Sequence, residues 1–132
     1  MKPARILIVE DDRCATEELA DYLGWRLGAE VTVADSVADA RRQLVDGRQP
    51  DVCLLDIRMP HENGLELMSM LCGDSAAGEP LVIVMSGFHD EPTLDAIKRL
   101  RLPFLPKPLE LDRLLELIHA HGVPAESRTD RA

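Results

Sequence analysis

Short, uninterrupted apolar runs alternate with longer amphipathic segments along nearly the whole chain, and this alternation constrains the fold more than any other feature. The first run, Arg5 to Val9, carries Ile-Leu-Ile-Val, which suits a strand buried on both faces. A helix is expected from about Asp12 to Leu27, with Ala15, Leu19, Tyr22, Leu23 and the stem of Arg26 at helical spacing and Gly28 as its stop. Tyr22 and Trp25 are expected to pack at the end of that helix. Val31 to Ala34 reads as a second strand, followed by a helix capped by Asp35 or Ser36 and running to about Val45. The third strand is Asp51 to Asp56. A third helix is expected over about Leu65 to Cys72, and Gly73 to Pro80 reads as a mobile, polar connector. Leu81 to Ser86 is the fourth strand. Glu91-Pro92 opens a fourth helix that ends near Leu100. Phe104-Leu105 lies in a short fifth strand stopping at Lys107-Pro108, and a last helix spans about Leu109 to His121. Five strands and five helices in strict alternation imply an α/β fold, a parallel sheet with helices on both faces. Right-handed crossovers restrict its topology to a few doubly wound orders.

The 132 residues correspond to one domain, over residues 1–121, with a polar tail over residues 122–132. The longest apolar runs are too short to span a bilayer, and only Ile6 to Val9 follow the basic N-terminus before Glu10, so no signal-peptide core is present and a cytoplasmic location is expected. The net charge of -9 argues against nucleic acid and anionic membranes as partners. Cys14, Cys53 and Cys72 are an odd number without CxxC spacing, which points to packed thiols in a reducing compartment.

Ligands of an open α/β sheet bind beyond the carboxyl ends of its strands. The first strand ends in Glu10-Asp11-Asp12, the third in Asp56, the fourth in Ser86-Gly87 and the fifth in Lys107-Pro108. Carboxylates held this close repel one another, and a hard divalent cation such as Mg²⁺ relieves the repulsion with oxygen ligands. Lys107 adds a fixed positive charge and Ser86 a hydroxyl donor. A pocket of this chemistry can receive a phosphoryl group on a carboxylate. Each residue also has a plainer reading: Asp56 as a turn or capping aspartate, Glu10-Asp11 as a charge pair on a helix dipole, Lys107 as a solvated lysine, Ser86 as a helix cap and Phe104 as core. The coincidence of all four clusters at strand ends favours the phosphoacceptor reading of Asp56. His119 and His121 read as solvated residues of a frayed helix end, and His61 and His89 carry no assigned role.

The motifs Ile-Leu-Ile-Val-Glu-Asp-Asp, Leu-Leu-Asp-Ile-Arg-Met-Pro, Met-Ser-Gly and Phe-Leu-Pro-Lys-Pro stand at spacings of 45 residues from Asp11 to Asp56, 30 to Ser86 and 21 to Lys107. In this order they closely resemble the receiver domain of two-component response regulators, over about Ala4 to His121, in the manner of a single-domain chemotaxis regulator. The resemblance implies a flavodoxin-like doubly wound five-stranded parallel sheet of order 2-1-3-4-5 with five helices. It implies Asp56 as phosphoacceptor and Mg²⁺ as cofactor, held by Glu10, Asp11, Asp56 and the backbone carbonyl of Arg58. Asp12 would be a helix-capping neighbour. Ser86 and Lys107 would bind phosphoryl oxygens, with Ser86 and Phe104 forming the switch. The Lys107-Pro108 bond would be cis.

The same resemblance implies that a sensor histidine kinase or phosphotransfer protein donates the phosphoryl group. The chain would catalyse only its own phosphorylation and dephosphorylation, and would not be an enzyme in the ordinary sense. Phosphorylation would change partner binding on the face made by the fourth helix, fifth strand and last helix, where Lys98, Arg99, Arg101 and Arg113 bring basic character. A monomer or a weak, phosphorylation-dependent dimer is expected. Only eleven residues follow His121, so the output is expected to be another protein, a downstream phosphotransfer protein in a phosphorelay, or a domain that this sequence does not include.

Some positions depart from the commonest pattern. Ser86 stands for the frequent threonine, Arg58 and Phe88 occupy variable positions beside the site, and Arg99 to Pro103 lacks the usual Gly-Ala before the fifth strand. One rival reading is a non-phosphorylated receiver-like interaction module, against which the intact acidic cluster argues. Another is a phosphohydrolase of the aspartyl-phosphate type, which would require a DxDxT motif after the first strand; that strand ends in Glu10-Asp11-Asp12, and Asp56-Ile57-Arg58 has arginine where the second aspartate should stand.

Overall fold

The computed structural model describes residues 3–45, 49–56, 71, 80–86 and 91–122. Five strands form one parallel sheet: β1 (Arg5–Val9), β2 (Glu30–Ala34), β3 (Val52–Asp56), β4 (Leu81–Ser86) and β5 (Phe104–Pro106), in the order β2-β1-β3-β4-β5. This is the doubly wound order expected above. The described helices are α1 (Arg13–Leu27), α2 (Val37–Val45), α3 (Glu91–Leu100) and α4 (Leu111–Ala120). Thus α3 and α4 are the expected fourth and last helices. The expected helix over residues 65–72 lies outside the described residues apart from Leu71, which is helical and buried. Residues 73–79 of the expected connector and 123–132 of the expected tail also lie outside them. No helix among the described residues is long and apolar enough to cross a membrane.

The continuous apolar runs have a simple cause. Successive strand side chains point to opposite faces, and both faces are covered. Ile6 and Ile8 of β1, Val52 and Leu54 of β3, and Ile83 and Met85 of β4 pack with Leu23, Leu27, Leu114 and Ile118 of α1 and α4. Leu7 and Val9, Cys53 and Leu55, and Val82 and Val84 pack on the other side with Val37, Ala40 and Ile97 of α2 and α3. Glu30 and Val33 of edge strand β2 remain exposed.

Local signals end the helices where expected. Asp12 caps α1, its carboxylate accepting the Ala15 N–H at 3.2 Å. Gly28 ends it in the left-handed conformation at φ 64°, where a glycine meets no steric penalty. Ser36, the second of the two proposed caps, accepts the Asp39 N–H at 3.0 Å ahead of α2.

Three expectations are corrected. The buried residues of α1 are Thr16, Leu23 and Leu27, whereas Ala15 is exposed. The hydroxyl of Thr16 donates to the Arg13 carbonyl at 2.9 Å, which satisfies its polar atom and lets its methyl enter the core. Trp25 is 41% exposed while Tyr22 packs against the core, because Trp25 lies two residues from both Leu23 and Leu27, on the side of α1 turned away from its buried stripe. Of the cysteines, Cys53 is buried in β3 but Cys14, in the first turn of α1, is exposed. Cys72 lies outside the described residues.

The turn before β5 shows how the chain manages without the glycine expected there. Arg101 adopts φ 57°. Its N–H reaches the Lys98 carbonyl at 3.1 Å, and the Leu102 N–H reaches the Ile97 carbonyl at 3.0 Å. These are the paired bonds of a Schellman motif, and Leu102 packs with Ile97 in the same apolar cluster as that motif favours. A side chain in this backbone region costs roughly 1–2 kcal/mol, a cost that glycine avoids.

Candidate functional site

Strand parity and register bring the polar residues together. Val9 lies opposite Leu55, so Glu10 falls beside Asp56 on the neighbouring strand. Both have the parity of Ile6, Ile8, Val52 and Leu54, and both side chains therefore leave the sheet on the face covered by α1 and α4. Lys107 has the parity of Leu105, which packs on that same face. The Glu10 N–H donates to the Ala34 carbonyl at 3.0 Å, extending the β1–β2 ladder by one residue and holding Glu10 at the sheet edge.

The resulting contacts are close. The Lys107 ammonium donates to both carboxylate oxygens of Glu10 at 2.9 Å and to Oδ2 of Asp56 at 2.7 Å. Glu10 and Asp56 are each 5% exposed, so these charges are shielded from most of the solvent. Asp11 is exposed, yet ligand oxygens of Glu10, Asp11 and Asp56 all lie within 4.8 Å of one another. This is an all-oxygen, anionic donor set with an open side, and it can hold a hard divalent cation. Asp12 Oδ1 accepts the capping bond from the Ala15 N–H, the helix-capping part of the role expected for it.

Burial raises the pKa of Glu10 above the ordinary glutamate value, the charges of Asp56 and Asp12 add to the rise, and Lys107 opposes it. Burial disfavours the Lys107 ammonium, but its bonds to Asp56 and Glu10 outweigh that effect and raise its pKa. Both shifts are upward, so each contributes stability that is lost as pH rises. For Glu10 that contribution is present below about pH 4.3 and disappears as pH rises through its raised pKa. For Lys107 it is complete below about pH 10.4 and disappears above it. A cation needs Glu10 ionised. Mg²⁺ affinity, followed by isothermal titration calorimetry in a pH series, is therefore expected to fall as pH drops through the raised Glu10 pKa. An affinity that stays constant across that range would remove Glu10 from the cation site.

Two openings flank the carboxylates. A groove of about 420 Å³ runs between α1 and the turn after β5, lined by Ile8, Glu10, Thr16, Leu19, Tyr22 and Lys107 among others. A cleft of about 210 Å³ on the other side is lined by Glu10, Asp11, Arg13, Thr16, Asp35 and Asp39 among others. Thr16 borders both, and sequence reasoning missed it because a threonine gives no apolar signal. Asp35 reads in the sequence only as a candidate helix cap, and Asp39 carries no sequence signal for the site.

Among the other expected site residues, Ser86 ends β4 with its backbone level with Pro106 of β5, placing it at the same sheet edge. Its side chain lies outside the described residues, as do Arg58, His61, Phe88 and His89. Phe104 is half-buried at the start of β5 and packs against the α2–α3 side of the core. The Lys107-Pro108 peptide bond is cis.

Comparison with known proteins bears on the family and the fold. Residues 6–119 match the family model described as the response regulator receiver domain. An uncharacterized response regulatory protein of Yersinia pestis is 35% identical over 114 residues, covering 86% of this chain and 46% of that protein. The positive alginate biosynthesis regulatory protein of Pseudomonas aeruginosa is 34% identical over 120 residues, covering 90% of this chain and 47% of that protein. The chain thus spans about half the length of these curated relatives. The crystal structure of a response regulator receiver protein from Pseudomonas putida superimposes with a TM-score of 0.79 at 30% identity, covering 91% of this chain and 98% of that one.

Proposed function

This chain belongs to the response regulator receiver domain family, and from that premise we propose that it is a cytoplasmic phosphorylation switch whose phosphoacceptor is Asp56. The observation that carries the reading is the Lys107 ammonium bonded at once to Asp56 and Glu10 inside a three-carboxylate cluster. A sensor histidine kinase or phosphotransfer protein presents phosphohistidine, with the groove between α1 and the turn after β5 as a seat for the donor. Mg²⁺ would be held by Glu10, Asp11 and Asp56, together with the Arg58 carbonyl that the family resemblance implies, and would supply charge neutralisation at the phosphoryl oxygens.

An Asp56 carboxylate oxygen attacks phosphorus. The P–N bond to the imidazole breaks, and the donor nitrogen leaves with the electron pair. Lys107 exchanges its bond to Asp56 for one to a phosphoryl oxygen, and the Ser86 hydroxyl bonds another. Water later attacks phosphorus, releasing inorganic phosphate and restoring the Asp56 carboxylate. No other substrate is turned over in this scheme, so the chain acts only on itself.

Phosphorylation replaces the single negative charge of the Asp56 carboxylate by the roughly two of an acyl phosphate, a net gain of about one charge, and adds three acceptor oxygens at that point. Drawing in Ser86 and Lys107 biases Phe104 and the face formed by α3, β5 and α4 between two arrangements. A downstream protein reads that face.

The test is intact mass after incubation with acetyl phosphate and Mg²⁺. A gain of one phosphoryl group is expected, absent with chelator and absent in Asp56→Asn. A chain that gains nothing from acetyl phosphate, and nothing from a phosphohistidine donor, is an unphosphorylated interaction module instead.

A further inference from the structure

We propose that the free edge of β2 pairs with the same strand of a second copy of this chain, antiparallel and centred on Thr32, joining the two sheets into one. The pairing rests on strand geometry and does not require Asp56 to be phosphorylated.

The two edges of the sheet differ. Edge strand β5 is 3 residues long and includes Pro106, which cannot donate to a further strand. Edge strand β2 is 5 residues, Glu-Val-Thr-Val-Ala, without the Pro, Lys or Gly that blunt an edge. Only alternate residues of β2 face β1. The Glu30 N–H donates to the Ala4 carbonyl at 2.8 Å, and the Ala34 carbonyl accepts the Glu10 N–H at 3.0 Å. Glu30, Thr32 and Ala34 thus turn their backbone groups toward β1, and Val31 and Val33 turn theirs outward. The Val33 carbonyl shows that direction, since it accepts the Gln43 side-chain amide at 3.3 Å. Among the described residues no strand lies beyond β2. Glu30, Thr32 and Val33 are exposed. A cavity of about 440 Å³ beside the strand, lined by Arg5, Leu7, Glu30, Val31, Thr32 and Gln43 among others, leaves its amino half uncovered.

A twofold axis through Thr32 satisfies all the outward groups at once. It sets Val31 opposite Val33 of the second copy, and each such pair exchanges both N–H···O bonds. A carbonyl has two lone pairs, so Gln43 can keep its bond to Val33. The β-branched pairs favour cross-strand contact, and the two Thr32 side chains meet at the closely spaced position between them. Glu30 falls opposite Ala34 of the second copy, which holds the two glutamates about 14 Å apart along the strands. Moving the axis one residue either way sets Ala29 or Asp35 against a valine and loses a Val–Val pair. A strand of another protein would need to match this pattern, whereas a second copy carries it by identity.

Two chains of net charge -9 repel, so the association is weak. It is measured at about 0.15 M salt, where long-range repulsion is screened and contact between opposed side chains is not. Sedimentation velocity of the whole chain is expected to show a monomer–dimer equilibrium, with dimer increasing up to about 1 mM. Thr32→Lys and Thr32→Glu each oppose like charges at the axis and are expected to weaken the dimer about fivefold. Their equimolar mixture is expected to dimerise at least as tightly as wild type, because an ammonium then faces a carboxylate. Val33→Pro removes an outward N–H and leaves the β1 ladder intact, and is expected to weaken the dimer about tenfold. Arg113→Glu, on the face of α3, β5 and α4, is expected to leave it unchanged. Far-UV circular dichroism establishes that each variant is folded.

The proposal is overturned if the wild-type chain stays monomeric, which leaves the edge to a strand of another protein. It is overturned equally if the mixed Thr32 variants do not recover, or if Arg113→Glu breaks the dimer and the Thr32 variants do not. Intact mass with acetyl phosphate in the same samples separates the pairing from the switch. A chain that takes phosphate but does not dimerise refutes only the pairing, and one that dimerises without taking phosphate from any donor refutes only the switch.

Discussion

Replacing Lys107 by Met is expected to destabilise the metal-free domain by about 2 kcal/mol and to tighten Mg²⁺ binding at least about tenfold. The two effects have one cause. The ammonium bonds Glu10 at 2.9 Å and Asp56 at 2.7 Å, and both carboxylates are almost wholly shielded from water. Removing one partner of a fully buried pair costs about 3–5 kcal/mol, because the remaining charge stays buried and unpaired. The Lys107 side chain is 31% exposed, so solvent already screens part of the interaction and the smaller figure applies. Methionine keeps most of the apolar stem, which confines the loss to the charge. The ammonium also stands where it repels a cation held by Glu10, Asp11 and Asp56, so its removal favours the ion. Urea unfolding in EDTA and in saturating Mg²⁺ checks both arms: the variant is expected to lose stability in EDTA and to recover most of it with Mg²⁺. A variant as stable as wild type in EDTA would show that these ion pairs contribute nothing net.

The site could be read from the sequence because its residues sit where strands stop. A continuous apolar run that ends in a carboxylate marks both the sheet edge and the group presented there, as Val9-Glu10 and Leu55-Asp56 do. Parity within β1 and β3 then puts the two carboxylates on one face. The capping role of Asp12 and the stop at Gly28 were equally legible, since each depends on only a few neighbouring residues. What could not be read depends on tertiary context. The buried stripe of α1 runs through Thr16, because a local bond to Arg13 removes the cost of burying its hydroxyl. Trp25 is more exposed than its size suggests, because helix phase outweighs the hydrophobicity of a single side chain. The left-handed Arg101 has no sequence signal at all; it is set by Leu102 and Ile97 packing together beneath the turn.

Leu54→Ala is expected to cost about 4 kcal/mol, more than any surface substitution discussed here. Leu54 lies in β3, the central strand, with Ile8 and Ile83 level with it on either side. All three are fully buried beneath α1 and α4. Nothing nearby can reach solvent to relieve a cavity, so most of the lost volume remains empty. By contrast, Val33→Ala on edge strand β2, where the side chain is 38% exposed, is expected to cost under about 1 kcal/mol. Domains of this size are stable by about 5–15 kcal/mol, so Leu54→Ala consumes a large share of the total. Leu54 is two residues from Asp56 on the same strand and the same face, yet it touches none of the charged groups by hydrogen bond or ion pair. Its loss should therefore lower phosphoryl uptake only through the folded fraction. Uptake by Leu54→Ala is expected to fall on warming in step with its circular dichroism signal and to return to the wild-type value when the sample is cooled. Uptake that stays low in a fully folded, cooled sample would show instead that Leu54 sets the height of Asp56 against Lys107.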